Sequence, residues 1–488
     1  MSLALNALWS RWTPVRRIFA VLGVFLTLLF VIASGLLARE IYATNLIAFQ
    51  AINTTAIAQN DALKIDNLQV QRGAYLAKVG NCAACHTARG GAVFAGGKAI
   101  STPFGTVYTS NITPDAASGI GKWSVDAFYR AMHEGRSADG HLLTPAFPYP
   151  NYTHITRADS DDLYSYFMHG VAPVAQVNKS HDLPFPFNTQ LALAFWRTLF
   201  FEKADGVSDI PPKITINNIA AQGVSTPVKG INEGVKIDNS DIQRGAYLVR
   251  GLGHCSACHA ERNALGASIN EQLLGGALMP MQDWYAPSLV NPAEAGVAHL
   301  PRQDVVALLK TGIAPNASML GPMAEVVAGS TQLWTDADLQ ATAAYLQSLP
   351  QSPAQLDAKN SAKSTTSDKS KPVLFDKGAE LFTQHCATCH GEQGQGMRVE
   401  GNVALPALAG NRAITLPNTT NLVRILLAGG YAPSTAGNPR PFGMPPFVHV
   451  LGDEDIAAVT TYIRNAWGNQ AASVTAADVV RQRRGVMQ

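Results

Sequence analysis

The sequence predicts a mainly α-helical protein in which three tandem domains follow an N-terminal transmembrane helix. Three observations support this prediction. A C-x-x-C-H segment occurs three times, each copy follows a similar helix-forming stretch, and an uncharged apolar run extends from 18 to 38. The chain has 488 residues, which is about the length of three domains. One helical domain is therefore expected for each C-x-x-C-H copy.

The apolar run IFAVLGVFLTLLFVIASGLLA, at 18–38, is preceded by Arg11, Arg16 and Arg17. A helix of about 20 apolar residues spans a bilayer, whereas the apolar part of a signal peptide usually has about 7 to 15 residues. The run is predicted to be a transmembrane anchor that stays attached, with a cleaved signal peptide as the alternative. In both cases 1–17 is a cytoplasmic basic segment and the rest of the chain is exported.

All six cysteines of the chain fall in the three C-x-x-C-H copies. This motif is the attachment signature of c-type haem, in which two cysteines form thioethers to one porphyrin and the histidine binds the iron. The predicted haem-attachment cysteines are Cys82, Cys85, Cys255, Cys258, Cys386 and Cys389, and the predicted iron ligands are His86, His259 and His390. Zinc and redox C-x-x-C sites are weaker alternatives, because zinc sites commonly pair two such motifs and three leave one unpaired. Three covalently bound haem c groups, in domains similar to class I cytochrome c, are predicted.

Each attachment segment is followed by a helix that is predicted to end at a glycine, by an irregular loop and by a terminal helix. The three glycines are Gly135, Gly312 and Gly430, and glycine is the usual residue after the last helical turn. The predicted domains are 63–205, 237–350 and 373–470, with a weaker boundary region at 205–236, a linker at 351–372 and a C-terminal tail at 471–488. The linker is rich in Ser, Lys and Thr, as solvated linkers are. Each domain is expected to be self-contained.

The loop before each terminal helix is expected to supply the second axial ligand of its haem, commonly a methionine sulfur. The third domain offers Met444, in PRPFGMPPF. The second domain offers Met323 and Met319. Met323 is preferred because its Gly-Pro context and its distance from the terminal helix resemble those of Met444.

The equivalent loop of the first domain contains no methionine. Phe147 stands about as far from the neighbouring helices as Met444 does, and a phenyl ring cannot bind iron. Other candidate ligands are Met168, His141 and His154, and an open or water-bound iron is the remaining alternative. The first haem is therefore predicted to lack a methionine ligand and to have a lower potential than a haem with His/Met ligation.

Several motifs together resemble the three-haem cytochrome c subunit of bacterial membrane-bound alcohol, gluconate and fructose dehydrogenases and related aldehyde dehydrogenases. They are the C-x-x-C-H segments, QRGAYL before two of them, TSNITPDAASGIGKWS, LLKTG, GPMAEVV, FGMPPF and YIRNAWGN. The resemblance covers 63–470. It implies an electron-transfer subunit on the periplasmic side of the cytoplasmic membrane. The family pattern has methionine at the position of Phe147.

The resemblance also implies partners. The subunit would take electrons from a dehydrogenase catalytic subunit of the flavin, quinone-cofactor or molybdenum type, and pass them to ubiquinone or a terminal oxidase. The net charge of +2 does not suggest a nucleic-acid partner. The sequence contains no phosphate loop or flavin fingerprint, so no substrate-oxidising site of its own is expected. A peroxidase-like enzyme acting at the first haem and a haem subunit of a terminal oxidase are the alternative functions.

Overall fold

The computed structural model describes residues 13–41, 67–204, 239–269, 274–351, 371–399 and 402–487. Three helical domains occupy 67–204, 239–351 and 371–487 of these ranges. The predicted boundary region at 205–236, most of the linker at 351–372 and most of the basic segment at 1–17 lie outside the described residues.

The N-terminal apolar run forms one helix of 28 residues, α1 (Pro14–Ile41). Its last residue, Ile41, is buried and packs against Leu142 and Ala194 of the first domain. Large apolar side chains earlier in α1, such as Phe19, are exposed. In the described part of the chain, no helix is long and apolar enough to cross a membrane. The transmembrane helix predicted for 18–38 is therefore not confirmed.

The three domains are built from helices and short antiparallel strand pairs. The first contains α2 (Asn67–Val79), α3 (Cys82–His86), β1 (Ala99–Thr102), β2 (Gly105–Tyr108), α4 (Val125–Glu134), α5 (Tyr149–Tyr152), α6 (Arg157–His169) and α7 (Gln190–Phe200). The second contains α8 (Asn239–Arg250), α9 (Ser256–His259), β3 (Glu261–Arg262), β4 (Ser268–Ile269), β5 (Ala277–Met279), β6 (Trp284–Ala286), α10 (Arg302–Thr311), β7 (Ile313–Ala314), β8 (Ala317–Ser318), α11 (Pro322–Gly329), a 3₁₀ helix (Thr331–Leu333) and α12 (Asp336–Ser348). The third contains α13 (Lys371–His385), α14 (Ala387–His390), β9 (Met397–Val399), β10 (Asn402–Leu405), α15 (Arg412–Thr415), α16 (Thr420–Ala428), β11 (Gly430–Tyr431), β12 (Gly443–Met444), α17 (Asp453–Ile463) and α18 (Ala476–Val486). The predicted order of a first helix, an attachment segment, a glycine-terminated helix, a loop and a terminal helix is therefore present in each domain.

The glycine stops predicted for the middle helices are found, with one correction. Gly135 (φ 60°) and Gly312 (φ 76°) end α4 and α10 in the left-handed conformation. In the third domain α16 ends at Ala428, and Gly429 (φ 70°) rather than Gly430 is the cap. The stop is one residue early because Gly430 already pairs with Met444 as the first residue of β11.

The first and terminal helices of each domain cross at a glycine. A Cβ on this glycine would overlap a backbone carbonyl of the terminal helix, so the two helices approach more closely than any larger residue would allow. The three contacts are Gly73 with Asp162, Gly245 with Ala341, and Gly378 with Ala458. In each case a tyrosine Cβ four residues further along the terminal helix lies 2.7 Å from the same point. These contacts give a residue-by-residue alignment of α6, α12 and α17.

The first two domains share one hydrophobic core. Leu76 and Leu163 of the first domain belong to the same cluster of buried side chains as Leu248 and Leu339 of the second. The third domain has a core of its own around Ile456. The expectation of self-contained domains is therefore wrong for the first two, because their apolar helix faces pack against each other as well as within each domain.

Two tyrosines from the repeated QRGAYL stretches join the first two domains reciprocally. Each hydroxyl donates to an aspartate near the start of the other domain's terminal helix, Tyr75 to Asp338 and Tyr247 to Asp159, both at 2.5 Å. Each hydroxyl also accepts the N–H of that helix's N-cap threonine at 3.1 Å. Burial opposes the charge on Asp338, but hydrogen bonds from Arg244 and Tyr75 lower its pKa overall. The two domains are thus related by an approximate two-fold arrangement.

Tyr75→Phe and Tyr247→Phe are each expected to destabilise the protein by about 1.5–3 kcal/mol, as for other hydrogen bonds to charged groups. Denaturant unfolding measures this loss. Tyr431→Phe is the control, because Tyr431 is 68% exposed and should be replaceable without cost. The role of the reciprocal contact would be contradicted if Tyr75→Phe and Tyr247→Phe were as stable as the wild type. It would also be contradicted if only the control lost stability.

The predicted tail at 471–488 contains a helix that belongs to the third domain. Thr475 and Asp478 cap α18, with the Thr475 N–H donating to Asp478 Oδ2 at 3.1 Å. Val479 is fully buried in the third-domain core. The third domain therefore extends past residue 470, and the T-x-x-D pattern before α18 is the local signal for it.

Candidate haem sites

The three C-x-x-C-H segments lie on or next to the short helices α3, α9 and α14. The first cysteine of each is half-buried, the second is exposed, and all six thiols are free. Burial raises the pKa of the first thiol, to about 12 for Cys82 and Cys255 and to about 11 for Cys386.

The two proximal histidines of the first and second sites are held by backbone carbonyls. His86 Nδ1 lies 2.7 Å from the Ser110 carbonyl oxygen, and His259 Nδ1 lies 2.7 Å from that of Pro287. A carbonyl can only accept, so Nδ1 carries the proton and Nε2 keeps its lone pair. Burial lowers the pKa of both rings and so keeps them neutral. These rings therefore have the protonation state and outer hydrogen bond that an iron-binding histidine requires.

His390 of the third site has a similar environment. Burial lowers its pKa, and the backbone of Pro406 opposes this effect in part. Its Nδ1 atom is buried and makes no hydrogen bond of regular geometry. The carbonyls of Ser110, Pro287 and Pro406 were missed by the sequence analysis. A backbone carbonyl has no residue-type signature, so only the fold could reveal them.

A cavity of about 470 Å³ lies between the second and third domains. Both attachment segments line it, with Cys255, Cys258, His259, Cys386, Cys389 and His390. Asn81 of the first domain also contributes to its lining. Cofactor sites commonly have volumes of about 300–1,000 Å³ and mostly apolar walls with a few polar groups. The thiol pairs, the oriented imidazoles and the apolar walls fit bound porphyrins.

The predicted methionine ligands line the same cavity. Met444 is on β12, Met323 is on α11, and Met319 follows β8. The Met319 N–H donates to the Gly312 carbonyl at 2.8 Å, much as Met444 pairs with Gly430. Both methionines of the second domain are therefore within the cavity lining, and the preference for Met323 stays a prediction.

Arg412 is a charged residue of the cavity lining that the sequence analysis missed. It lies on α15, and its Nη2 atom donates to the carbonyls of Glu294 and Gly296 at 2.5 Å and 2.8 Å. Burial lowers its pKa. Arg412 thus joins the third domain to the second and places a guanidinium beside the two candidate haem sites.

Phe147 lies beside the first attachment segment. Its ring is 5.3 Å from the ring of Tyr152, in an edge-on contact. Tyr152 is buried, and its burial together with the neighbouring thiols of Cys82 and Cys85 raises its pKa. Tyr152 therefore connects Phe147 to the first attachment segment, and the role of the Phe147 position stays a prediction.

The three sites are ordered in space. Burial raises the pKa of the Cys258 thiol, and the positive charge of Arg262 lowers it in part. The thiol of Cys85, in the first site, is close enough to Cys258 to raise this pKa further. Asn151 of the first domain donates to Ser256, inside the second attachment segment, at 2.7 Å. The second and third sites share a cavity. The second site thus lies between the first and the third.

Known proteins are similar to this chain. A family model described as "Cytochrome c" matches 375–467, within the third domain. The chain is 36% identical over 445 residues to "Alcohol dehydrogenase (quinone), cytochrome c subunit" of Gluconobacter oxydans (strain 621H), with 90% of this chain and 86% of that protein covered. It is 37% identical over 441 residues to "Gluconate 2-dehydrogenase cytochrome c subunit" of Pantoea cypripedii, covering 87% and 90%. It is 35% identical over 431 residues to "Fructose dehydrogenase cytochrome subunit" of Gluconobacter japonicus, covering 85% and 82%.

Proposed function

Because this chain belongs to the family of cytochrome c subunits of alcohol, gluconate and fructose dehydrogenases, we propose that it carries electrons through three haem c groups. The electrons come from a separate dehydrogenase subunit and pass to ubiquinone or a terminal oxidase. The observation that carries this proposal is the series of three C-x-x-C-H sites, each with its own helical domain, in one continuous row.

Each haem, when bound, supplies an iron that takes up and releases one electron. The protein does the rest. In each site the two cysteines would hold the porphyrin covalently, and the histidine would present Nε2 to the iron. In the first and second sites a backbone carbonyl fixes Nδ1 of that histidine. In the second and third sites, methionines line the cavity. A thioether ligand favours the ferrous state and closes the iron to other chemistry.

The order of the sites determines the route. The second site adjoins the first through Cys85 and Cys258 and shares a cavity with the third. Electrons therefore cross the protein through the second domain, whichever end receives them. Arg412 stabilises this arrangement, because it ties the third domain to backbone carbonyls of the second beside the shared cavity.

The partner subunit is proposed to hold the substrate and its redox cofactor, of the flavin, quinone-cofactor or molybdenum type. The proposed location is the periplasmic side of the cytoplasmic membrane. Two features support it. Haem c attachment is expected outside the cytoplasm, and α1 has Arg16 and Arg17 in its first turn and exposes apolar side chains such as Phe19 and Val24.

Extraction of membranes with a mild detergent is expected to release this chain together with a dehydrogenase subunit that contains one of these cofactors. Absorption spectra and mass spectrometry of the purified complex identify the cofactor and the partner. The chain should sediment with membranes before extraction. Recovery of a copper-haem oxidase core instead would favour the terminal-oxidase alternative, and recovery of a stable monomer with peroxidase activity would favour the haem-enzyme alternative.

A further inference from the structure

We propose that two residues of the third domain, Asn421 and Arg412, position the proximal histidine of the second haem, so that the third domain sets the redox potential of that haem. This inference rests on the proposed function, because it requires a haem attached at Cys255 and Cys258. It is carried by the hydrogen bonds of the segment 285–296, the proximal loop of the second site.

The proximal loop holds the imidazole of the second site. The Pro287 carbonyl oxygen lies 2.7 Å from Nδ1 of His259. Glu294 closes the loop on itself, because its Oε2 atom accepts the Tyr285 hydroxyl at 2.9 Å and the Ser288 N–H at 2.8 Å. The position of the Pro287 carbonyl therefore depends on residues at both ends of the loop.

Asn421 of the third domain holds the start of the proximal loop. It lies in the first turn of α16, and its side-chain oxygen accepts the Tyr285 N–H at 2.8 Å. Its Nδ2 atom donates to the Tyr285 carbonyl at 2.7 Å. One side-chain amide thus binds both backbone groups of Tyr285, as the backbone of a neighbouring antiparallel strand would. The backbone two residues before Pro287 is therefore fixed by the third domain.

Arg412 holds the other end of the proximal loop. Its Nη2 atom donates to the carbonyls of Glu294 and Gly296 at 2.5 Å and 2.8 Å. Its own N–H donates to the Asn316 carbonyl at 3.0 Å, so the start of α15 is also bound to the second domain. The third domain therefore contacts the proximal loop on both sides of Pro287.

The first and third sites use their own domains for this purpose. In the first site the residue after the histidine-facing carbonyl is Asn111, whose N–H donates to Asn178 at 2.6 Å. In the third site Asn469 donates to the carbonyl of Leu408, two residues after the histidine-facing Pro406, at 3.1 Å. An asparagine side chain therefore holds the corresponding loop in each site, and for the second site that asparagine belongs to a different domain.

The hydrogen bond between His259 Nδ1 and the Pro287 carbonyl affects the iron through the imidazole ring. An outer hydrogen bond of this kind raises the basicity of the atom that binds the metal. A more basic imidazole stabilises ferric iron, so a firmly held carbonyl lowers the redox potential. Release of the proximal loop should weaken the hydrogen bond and raise the potential of the second haem.

The charge of Arg412 has the opposite effect. A ferrous haem carries less positive charge than a ferric haem, so a nearby guanidinium favours the ferrous form and raises the potential. A substitution that removes the charge would therefore mix two effects of opposite sign. Asn421→Ala and Arg412→Lys avoid this, because the first changes no charge and the second keeps the charge while removing the paired contacts to Glu294 and Gly296.

The test is a redox titration of the full-length protein by visible spectroscopy, with the haem content measured as the pyridine haemochrome. Asn421→Ala and Arg412→Lys are each expected to raise one of three potentials by about 59 mV, which is a tenfold change for a one-electron couple. Tenfold is the lower end of the roughly 10- to 100-fold effect of losing an outer partner of a metal ligand. It is expected here because the Pro287 carbonyl itself remains.

Asn418→Ala is the matched control. The Asn418 side chain accepts the Thr420 N–H at 3.0 Å, so its loss disturbs the start of α16 without removing a contact to the proximal loop. All three potentials of the control should equal those of the wild type. A control that shifts a potential as much as Asn421→Ala would overturn the inference, because the effect would then arise from α16 rather than from the loop.

A second background assigns the shifted potential. In His259→Ala protein, the further change Asn421→Ala should leave the potentials of the two remaining haems unchanged, and a shift that persists there would overturn the inference. Fewer than three haems per chain in the wild type would contradict the proposed function itself. Three haems with unchanged or lowered potentials in both Asn421→Ala and Arg412→Lys would overturn only the inference.

Discussion

His259→Ala is expected to reduce electron transfer through the protein by more than ~100-fold. Loss of a residue that only hydrogen-bonds to a metal ligand costs roughly 10- to 100-fold, and loss of the ligand itself should cost more. The reason is its position. His259 is the candidate iron ligand of the second site, and under the proposed function electrons between the first and third sites would cross that site. Quinone reduction by the purified complex and the rate of haem reduction in stopped flow measure the loss.

The spectrum of His259→Ala should lose the normal signal of one haem and keep the other two. His299→Ala is the matched control, because His299 is an exposed histidine of the same domain. The control should retain the full rate and all haem signals. A His259→Ala protein that still transfers electrons at the wild-type rate would show that the second site is not an obligatory intermediate. Loss of all three haem signals in a stable protein would contradict three separate sites.

Gly378→Val is expected to prevent the third domain from folding. A Cβ on Gly378 would overlap the carbonyl of Ala458 and lie 2.7 Å from the Cβ of Tyr462, and neither backbone nor Cβ can move without separating α13 from α17. Overpacking costs about 1–3 kcal/mol for smaller insertions, and a branched side chain against backbone should exceed this range. Total stabilities are only about 5–15 kcal/mol, so little folded third domain should remain.

Limited proteolysis and the haem content of the third site measure the effect. Gly378→Ala should be less severe, and Gly437→Val is the control. Gly437 lies in the same domain, and a Cβ there would have no neighbour within 4 Å. If Gly378→Val protein retains the protease resistance of the control, the close crossing of α13 and α17 is not required for the fold.

The candidate attachment sites could be proposed from the sequence because their chemistry is local. Two cysteines and a histidine within five consecutive residues are enough to bind one porphyrin, and a single turn of helix sets their spacing. The glycine stops and terminal helices were predictable for the same reason, since caps act over a few residues. The error of one residue at Gly429 arose where two adjacent glycines offered the same local signal and strand pairing chose between them.

Other features depended on residues far apart in the chain. The shared core of the first two domains, the reciprocal contacts of Tyr75 and Tyr247, and the role of Arg412 each join segments that are separated by many residues. Nothing in the local pattern of QRGAYL shows that its tyrosine contacts the neighbouring domain. The C-terminal helix α18 was missed although its T-x-x-D capping pattern is present, because its apolar face is defined only by the core that covers it.

The sequence by itself determined the candidate haem-attaching residues, the threefold repeat of the C-x-x-C-H segment and the phenylalanine at position 147, since covalent chemistry and helix capping act between near neighbours. Only the tertiary structure decided the order of the sites and the carbonyls that orient His86 and His259. The physical reason is that these contacts join segments that are separated in the chain, such as His86 with Ser110 and His259 with Pro287. Close packing between such segments sets the contacts, and a linear pattern of residue types does not.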